Sequence, residues 1–177
     1  MTCTIDTTQR TGAMLMTQHY MDDLIAQQDL AGEALWAGVG QTIKAFRRGI
    51  DELAAEGNLP GALTSFPHGC CGVTSTILGV YLNARYGLGI EQVWADRDGK
   101  SHAWLEINGL AIDVTGDQFE GRPPVFFGVR DEWLASWEED RDLRDVATLA
   151  LGQPTYADEI DALQQVIQRS GLSKINQ

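Results

Sequence analysis

Ser101-His102-Ala103-Trp104-Leu105-Glu106-Ile107-Asn108-Gly109-Leu110-Ala111-Ile112-Asp113-Val114-Thr115 is the stretch from which the fold of this chain can be read. Asn108-Gly109 is the preferred dipeptide of a two-residue type I′ turn, because both positions tolerate positive φ. Such a turn sets Ile107 opposite Leu110. Ala103, Leu105 and Ile107 then lie against Val114, Ile112 and Leu110 on one wholly apolar face. The other face carries His102, Trp104 and Glu106 against Thr115, Asp113 and Ala111. A slip of one residue would send every apolar side chain to the wrong face, so the register is well specified. In it Asp113 is the diagonal neighbour of His102, at the roughly 7–8 Å that two polar side chains leaning together can bridge.

Upstream stands a thiol, in Phe66-Pro67-His68-Gly69-Cys70-Cys71-Gly72. Val73, Ile77, Val80, Tyr81 and Ala84 recur at helical spacing and predict a core helix from Cys71 that ends near Gly87. Pro67 disfavours helix at Phe66, and Gly69 and Gly72 bracket the cysteine pair, which places it at the helix N-terminus. Free amides and the positive end of the helix dipole stabilise a thiolate there. With an imidazolium nearby, such cysteines have pKa values of about 3.5–7.5 against about 8.5 for a free thiol.

A thiol, an imidazole and a carboxylate in this order suit nucleophilic catalysis on an amide, with histidine taking the thiol proton and the carboxylate fixing the ring. The expected nucleophile is Cys71. Cys70 is its rival, since adjacent helical residues point about 100° apart and only one can meet the histidine. His102 is the expected base and Asp113 its orienting group, with Asp117 a weaker substitute and Trp104 a shield against water. The oxyanion site is expected to use the Cys71 backbone N–H and one donor from Gln41, Trp36, His68 and Gln118. His68 also reads as a second base or a plain turn residue, and His19 as structural.

Composition narrows the classes. The chain has 177 residues, enough for one domain with its own core, and its charged content of 21% is ordinary for a globular protein. A net charge of −12 disfavours nucleic acid and anionic membrane surfaces, both of which reward lysine and arginine. No apolar run approaches the roughly 20 residues of a membrane span, and no basic segment leads into an apolar stretch near Met1. The expected setting is cytoplasmic, or another cell reached without a cleavable signal. Three cysteines, two of them adjacent, suggest no disulfide framework, and Cys3 reads as irrelevant. Cys70, Cys71, His68 and His102 lack the separated pairs of a structural zinc site, so no metal is expected. GxxxxGK[ST], HExxH and GxSxG are all missing, and no cofactor is expected.

Outside the hairpin, apolar spacing predicts helix from about residue 16 to 56, broken near Asp29 to Gly32 because Gly32, Gly38 and Gly40 argue against one continuous helix. Ile90 to Ala95 reads as a strand and Asp96 to Lys100 as a turn. A loop is expected from Gly116 to Gly128, then helices over Asp131 to Leu149 and Ala157 to Arg169. The acidic runs there read as solvated helix faces.

The motifs Gly69-x-Cys71 at a helix start, Ser101-His102-Ala103-Trp104-Leu105-Glu106 and Ile112-Asp113-Val114-Thr115 resemble the transglutaminase-like branch of the papain-like cysteine peptidase superfamily, over about residues 66–119. The resemblance implies an α+β fold with a papain-like core, in which a nucleophile-bearing helix packs on a small antiparallel sheet. The core would span about residues 60–130 of a single domain, with extra helices on both flanks. It also implies that Cys71 is nucleophile, His102 general base and then acid, and Asp113 the orienting group. Ser65 to His68 stand where papain-type enzymes have an oxyanion glutamine, which leaves the donor open; His68, Cys70, Trp104 and Gln118 are the oxyanion or support candidates. The implied activity is hydrolysis of a peptide or side-chain amide in a protein or peptide substrate. Glutamine deamidation or acyl transfer is the runner-up, and a catalytically silent binding module the alternative from another class.

Overall fold

The computed structural model describes residues 32–146 and 156–174. Contacts divide the chain into two compact units, Met1–Val39 and Gly40–Gln177. The described part of the first, residues 32–39, is helical, and that helix, α1, runs on to residue 55 in the second unit. It passes through Gly38 and Gly40 without a break, since each glycine costs only about 1 kcal/mol against alanine, which tertiary packing readily offsets; the break expected near Asp29 to Gly32 falls at the edge of the described residues. The expected helix before Gly32, with His19, lies outside the described residues, as does Cys3.

The second unit holds α2 (Cys71–Tyr86), a five-stranded sheet and two later helices, α3 (Glu132–Ala135) and α4 (Tyr156–Ser170). The strands are β1 (Glu91–Arg97), β2 (Lys100–Ile107), β3 (Leu110–Asp113), β4 (Phe126–Val129) and β5 (Glu138–Asp145). They are ordered β4-β3-β2-β1-β5, with every neighbouring pair antiparallel. The fold is therefore α+β.

Local chemistry sets the centre of the sheet. Asn108 (φ 49°) and Gly109 (φ 77°) take the left-handed conformations of the tight turn, and Asp98 (φ 53°) and Gly99 (φ 73°) repeat it between β1 and β2. The β2–β3 register is Ile107 with Leu110, Glu106 with Ala111 and Leu105 with Ile112. Pairing stops there, two residues short of Ala103. The reason lies at Asp113, whose Oδ1 accepts the Thr115 N–H at 2.9 Å and turns the chain into a short 3-10 helix at Gly116–Gln118. His102 and Thr115 are thus not ladder partners.

Both faces of the sheet carry buried apolar residues. On one, Leu105 meets α2 at Gly79, where an added Cβ would lie 3.2 Å from the Leu105 Cδ2. The other, expected to be the site side rather than the core, carries a second apolar cluster: Val93, Ala95, Trp104, Ala111, Leu134 and Trp137, with Phe119, Phe126 and Trp133 against it. Burial of α2 also differs from the expected single stripe. Residues from Thr74 to Gly79 are buried in sequence, while Val73 and Val80 are half-buried and Ala84 is exposed. Thr74, Ser75 and Thr76 bond to carbonyls one turn back, which lets polar side chains sit inside.

Two further expectations are corrected. The loop over Gly116 to Gly128 contains the start of β4, and most of the helix over Asp131 to Leu149 is replaced by α3 and β5, with residues 147–149 outside the description. Glu138 to Asp145 has no β-branched or aromatic residue. It is a strand because β1 offers a partner, a non-local cause that periodicity does not carry. Charge along an edge strand also discourages pairing with other chains. Among the described residues no helix is long and apolar enough to cross a membrane.

α1 and α4 touch at Gly49, where an added Cβ would come within 2.9 Å of Ser170 Cβ, 3.0 Å of the Val166 carbonyl oxygen and 3.1 Å of the Ser170 nitrogen. Alanine gains about 1 kcal/mol in helix propensity, whereas overpacking against backbone costs roughly 1–3 kcal/mol. The steric effect wins because two of the three atoms cannot rotate away. Gly49→Ala is expected to lower the urea midpoint at unchanged m-value; an unchanged or higher midpoint would show that the helices part easily.

Candidate active site

The first turn of α2 is fastened to the sheet. Cys70 is the N-cap and Cys71 the first helical residue. The Gly72 carbonyl accepts from Gln92 Nε2 (2.7 Å), which also bonds Ser75 Oγ (2.6 Å) and Thr76 Oγ1 (3.0 Å). Gln92 in turn accepts the Trp94 indole N–H at 2.9 Å. This ties the helix start to β1. The Trp94 ring lies so close to Gly72 that an added Cβ would come within 2.5 Å of it, so any side chain there would have to displace the ring.

His102 lies on β2 with 0% of its surface exposed, and Asp113 ends β3 at 1%. Imidazole Nε2 and Asp113 Oδ2 are 2.9 Å apart. Asp113 Oδ1 takes the Thr115 N–H and, at 3.3 Å, the Thr115 hydroxyl. Gln118 Nε2 stands 3.1 Å from His102 Nδ1 and donates to the Thr115 carbonyl at 3.0 Å. Around the ring stand Phe119, Trp137, Trp104 and Trp133, with centroids 5.0, 5.5, 5.8 and 5.9 Å away.

Cys71 stands beside His102, whose charge acts on its sulfur together with the backbone at Ala103 and Gly72. With Nε2 committed to Asp113, Nδ1 is the ring nitrogen left for the thiol and Gln118. Burial alone would raise the Cys71 pKa; His102 and the backbone at Ala103 and Gly72 outweigh it and bring it below the ordinary thiol value. For His102, burial pulls downward, but hydrogen bonds and charges from Asp113 and Cys71 outweigh it and raise the imidazole to about 9. Both directions favour a thiolate–imidazolium pair at neutral pH.

Cys71 is 7% exposed and opens onto a cleft of about 340 Å³. Gly69, Gly72, Trp94, Ser101, Gln118 and Arg144 are among its walls. Of the expected site residues, Cys71, His102, Asp113, Trp104 and Gln118 come together. Cys70 does not line the cleft; its thiol is pushed up by burial and takes a weak hydrogen bond from Thr74 Oγ1 at 3.7 Å. His68 is an exposed turn residue away from the cleft walls, and Gln41 is exposed on α1. Trp36 belongs to the N-terminal unit. Asp117 points to Arg47, at 2.7 Å, rather than to His102.

Sequence reading missed Gln92, Arg47 and the aromatic wall of Phe119, Trp133 and Trp137. The spacing of Trp133 and Trp137, four apart beside Asp131 as an N-cap, is a short-helix signal for the last two. Gln92 and Arg47 had none. Among the described residues, no group of three or more His, Cys, Asp or Glu is placed to hold a metal ion. Comparison with protein-family models, curated proteins and solved structures finds no match to this chain.

Only the thiolate is alkylated readily, so iodoacetamide labelling followed by site-resolved mass spectrometry reads these directions. Cys71 is expected to label with a pH midpoint below that of an ordinary thiol, and Cys70 with one above it. Asp113→Asn removes the charge that holds the imidazolium and is expected to move the Cys71 midpoint upward. Equal midpoints for the two cysteines would refute this electrostatic picture.

Proposed function

We propose that this chain is a cysteine hydrolase with a papain-like, transglutaminase-like core, acting on an amide of a protein or peptide through Cys71, His102 and Asp113. The single observation that supports it most is the buried, hydrogen-bonded pair of His102 and Asp113 beside Cys71, with the thiol lowered by His102 and the imidazole raised to about 9. The placement of the nucleophile at a helix start, with base and carboxylate on adjacent antiparallel strands, fits such a core.

In this mechanism the Cys71 thiolate adds to the amide carbon, and the carbonyl π electrons move to oxygen. The oxyanion takes the Cys71 backbone N–H, which belongs to the free first turn of α2. Gln118 supplies the second donor. In the imidazolium state Nδ1 carries a hydrogen and cannot accept from the Gln118 amide, which is thereby released toward the cleft it lines. As the carbon–nitrogen bond breaks, Nδ1–H protonates the leaving amine, and a thioester forms. Water then attacks the thioester, His102 takes its proton, and the thiolate returns with the acid product. Asp113 keeps the ring in place throughout without taking a proton.

A second reading, deamidation or acyl transfer at a side-chain amide, is favoured by one observation. A nucleophile only 7% exposed is reached more easily by a protruding carboxamide than by a chain lying across it. An amine in place of water in the second half would make the same site an acyltransferase.

The test is trapping of substrates from extract on Cys71→Ala, followed by exposure to the wild-type protein and mass spectrometry. Backbone cleavage supports the first reading and conversion of an amide to an acid the second. No covalent adduct with any amide substrate and an ordinary Cys71 thiol would leave a silent module. Activity is expected to be bell-shaped in pH. It rises as Cys71 ionises, and falls as pH passes about 9, where His102 loses the proton that the leaving amine needs. Gln118→Ala is expected to cut kcat by roughly 10²–10³, the usual effect of removing one oxyanion donor.

A further inference from the structure

Arg47 is a buried guanidinium in the middle of α1, with a side chain 8% exposed. Its bonds go to unusual places for a helix residue. Nε donates to Asp51 at 2.9 Å, one turn along the helix. Nη1 donates to the Val114 carbonyl (2.9 Å), Asp117 Oδ1 (2.8 Å) and the Pro124 carbonyl (3.0 Å), and Nη2 to Asp117 Oδ2 (2.7 Å). Val114, Asp117 and Pro124 all belong to the segment that leaves β3 at Asp113 and carries Thr115 and Gln118. Meanwhile the guanidinium carbon sits 4.6 Å from the centre of the Phe66 ring, in the loop that leads to Cys70 and Cys71. A planar cation can satisfy a carboxylate edge-on and an aromatic ring face-on at once.

We propose that Arg47 is a positioning residue that holds the nucleophile's loop in register with the Asp113–Gln118 segment, and so sets the contact between Cys71 and His102. This rests on the thiol-hydrolase reading above. The two segments meet nowhere in the β2–β3 ladder, which has already ended at Leu105 and Ile112. Something else must fix them. α2 is tied to β1 through Gln92, but among the described residues no hydrogen bond joins the loop before the helix to the turn after β3. Arg47 touches both. Asp51 on the same helix, with Asp117, balances its charge, and burial lowers its pKa less than these two carboxylates raise it. It therefore stays a cation and acts through geometry. The charged groups that share the site with the Cys71 thiol from other elements are His102 on β2, Asp113 on β3, Arg144 on β5 and Glu159 on α4, and a substitution at Arg47 replaces none of them.

Arg47→Lys keeps the charge and loses the fork. It is expected to fold, by circular dichroism, while iodoacetamide labelling of Cys71 slows about tenfold at a pH below both midpoints. That is the loss of thiolate produced by a rise of one pK unit. Arg48→Met, a change of the neighbouring exposed arginine, is expected to leave the midpoint alone. Asp117→Asn and Phe66→Leu loosen the same clamp from its two ends, are expected to shift the midpoint in the same direction, and report if Arg47→Lys does not fold. A merely structural arginine would lower the melting temperature without moving the Cys71 midpoint. Folded variants with the wild-type midpoint would overturn the inference. A wild-type Cys71 that titrates as an ordinary thiol would instead overturn the hydrolase reading, so the two failures are distinct.

Discussion

A histidine and an aspartate buried side by side are costly to keep in a protein interior unless every polar atom has a partner. Much of this chain is arranged around that constraint at His102 and Asp113. Asp113 receives Thr115 through both backbone and hydroxyl, which fills the oxygen not used by His102. The second ring nitrogen faces Gln118, whose amide can donate to it when the ring is neutral. Four aromatic side chains exclude water around the ring. Breaking such a pair by removing one partner costs roughly 3–5 kcal/mol, a large part of the 5–15 kcal/mol that holds an ordinary domain together. The site is thus also a stability element, and substitutions in it read out both properties.

The same constraint explains why the β2–β3 ladder ends early. A continued ladder would pair Trp104 with Asp113 and leave the carboxylate only ladder neighbours. Ending β3 at Asp113 frees its backbone to turn, and the turn supplies the Thr115 N–H that the buried carboxylate needs. Register brought the two residues to one face, and the departure from register completed their hydrogen bonding.

Local signals in the sequence carried the centre of the molecule and lost its edges. Asn108-Gly109 specified the hairpin because its turn demands positive φ, and Gly87 marked the end of α2 for a similar reason. Alternation then paired Leu105 with Ile112. By contrast β5 is a strand through its partner, not its composition, and the helix expected over Glu138 to Asp145 fails for that reason. The candidate site divides in the same way. Cys71, His102 and Asp113 sit on elements with readable ends, so their order could be seen. Gln92 and Arg47 act across long sequence separations through hydrogen bonds that no spacing encodes, and Asp117, readable as a carboxylate near the histidine, goes to Arg47 instead.

The cleft has a consequence for the order in which the chain is made. Thiol, imidazole and carboxylate all lie between residues 71 and 113, but Arg144 on β5 and Glu159 on α4 line the same cleft. During synthesis from the N-terminus these three groups emerge well before those walls. A ribosome-bound chain therefore holds the thiol, imidazole and carboxylate before the residues that complete the cleft, and the cleft is complete only when β5 and α4 dock.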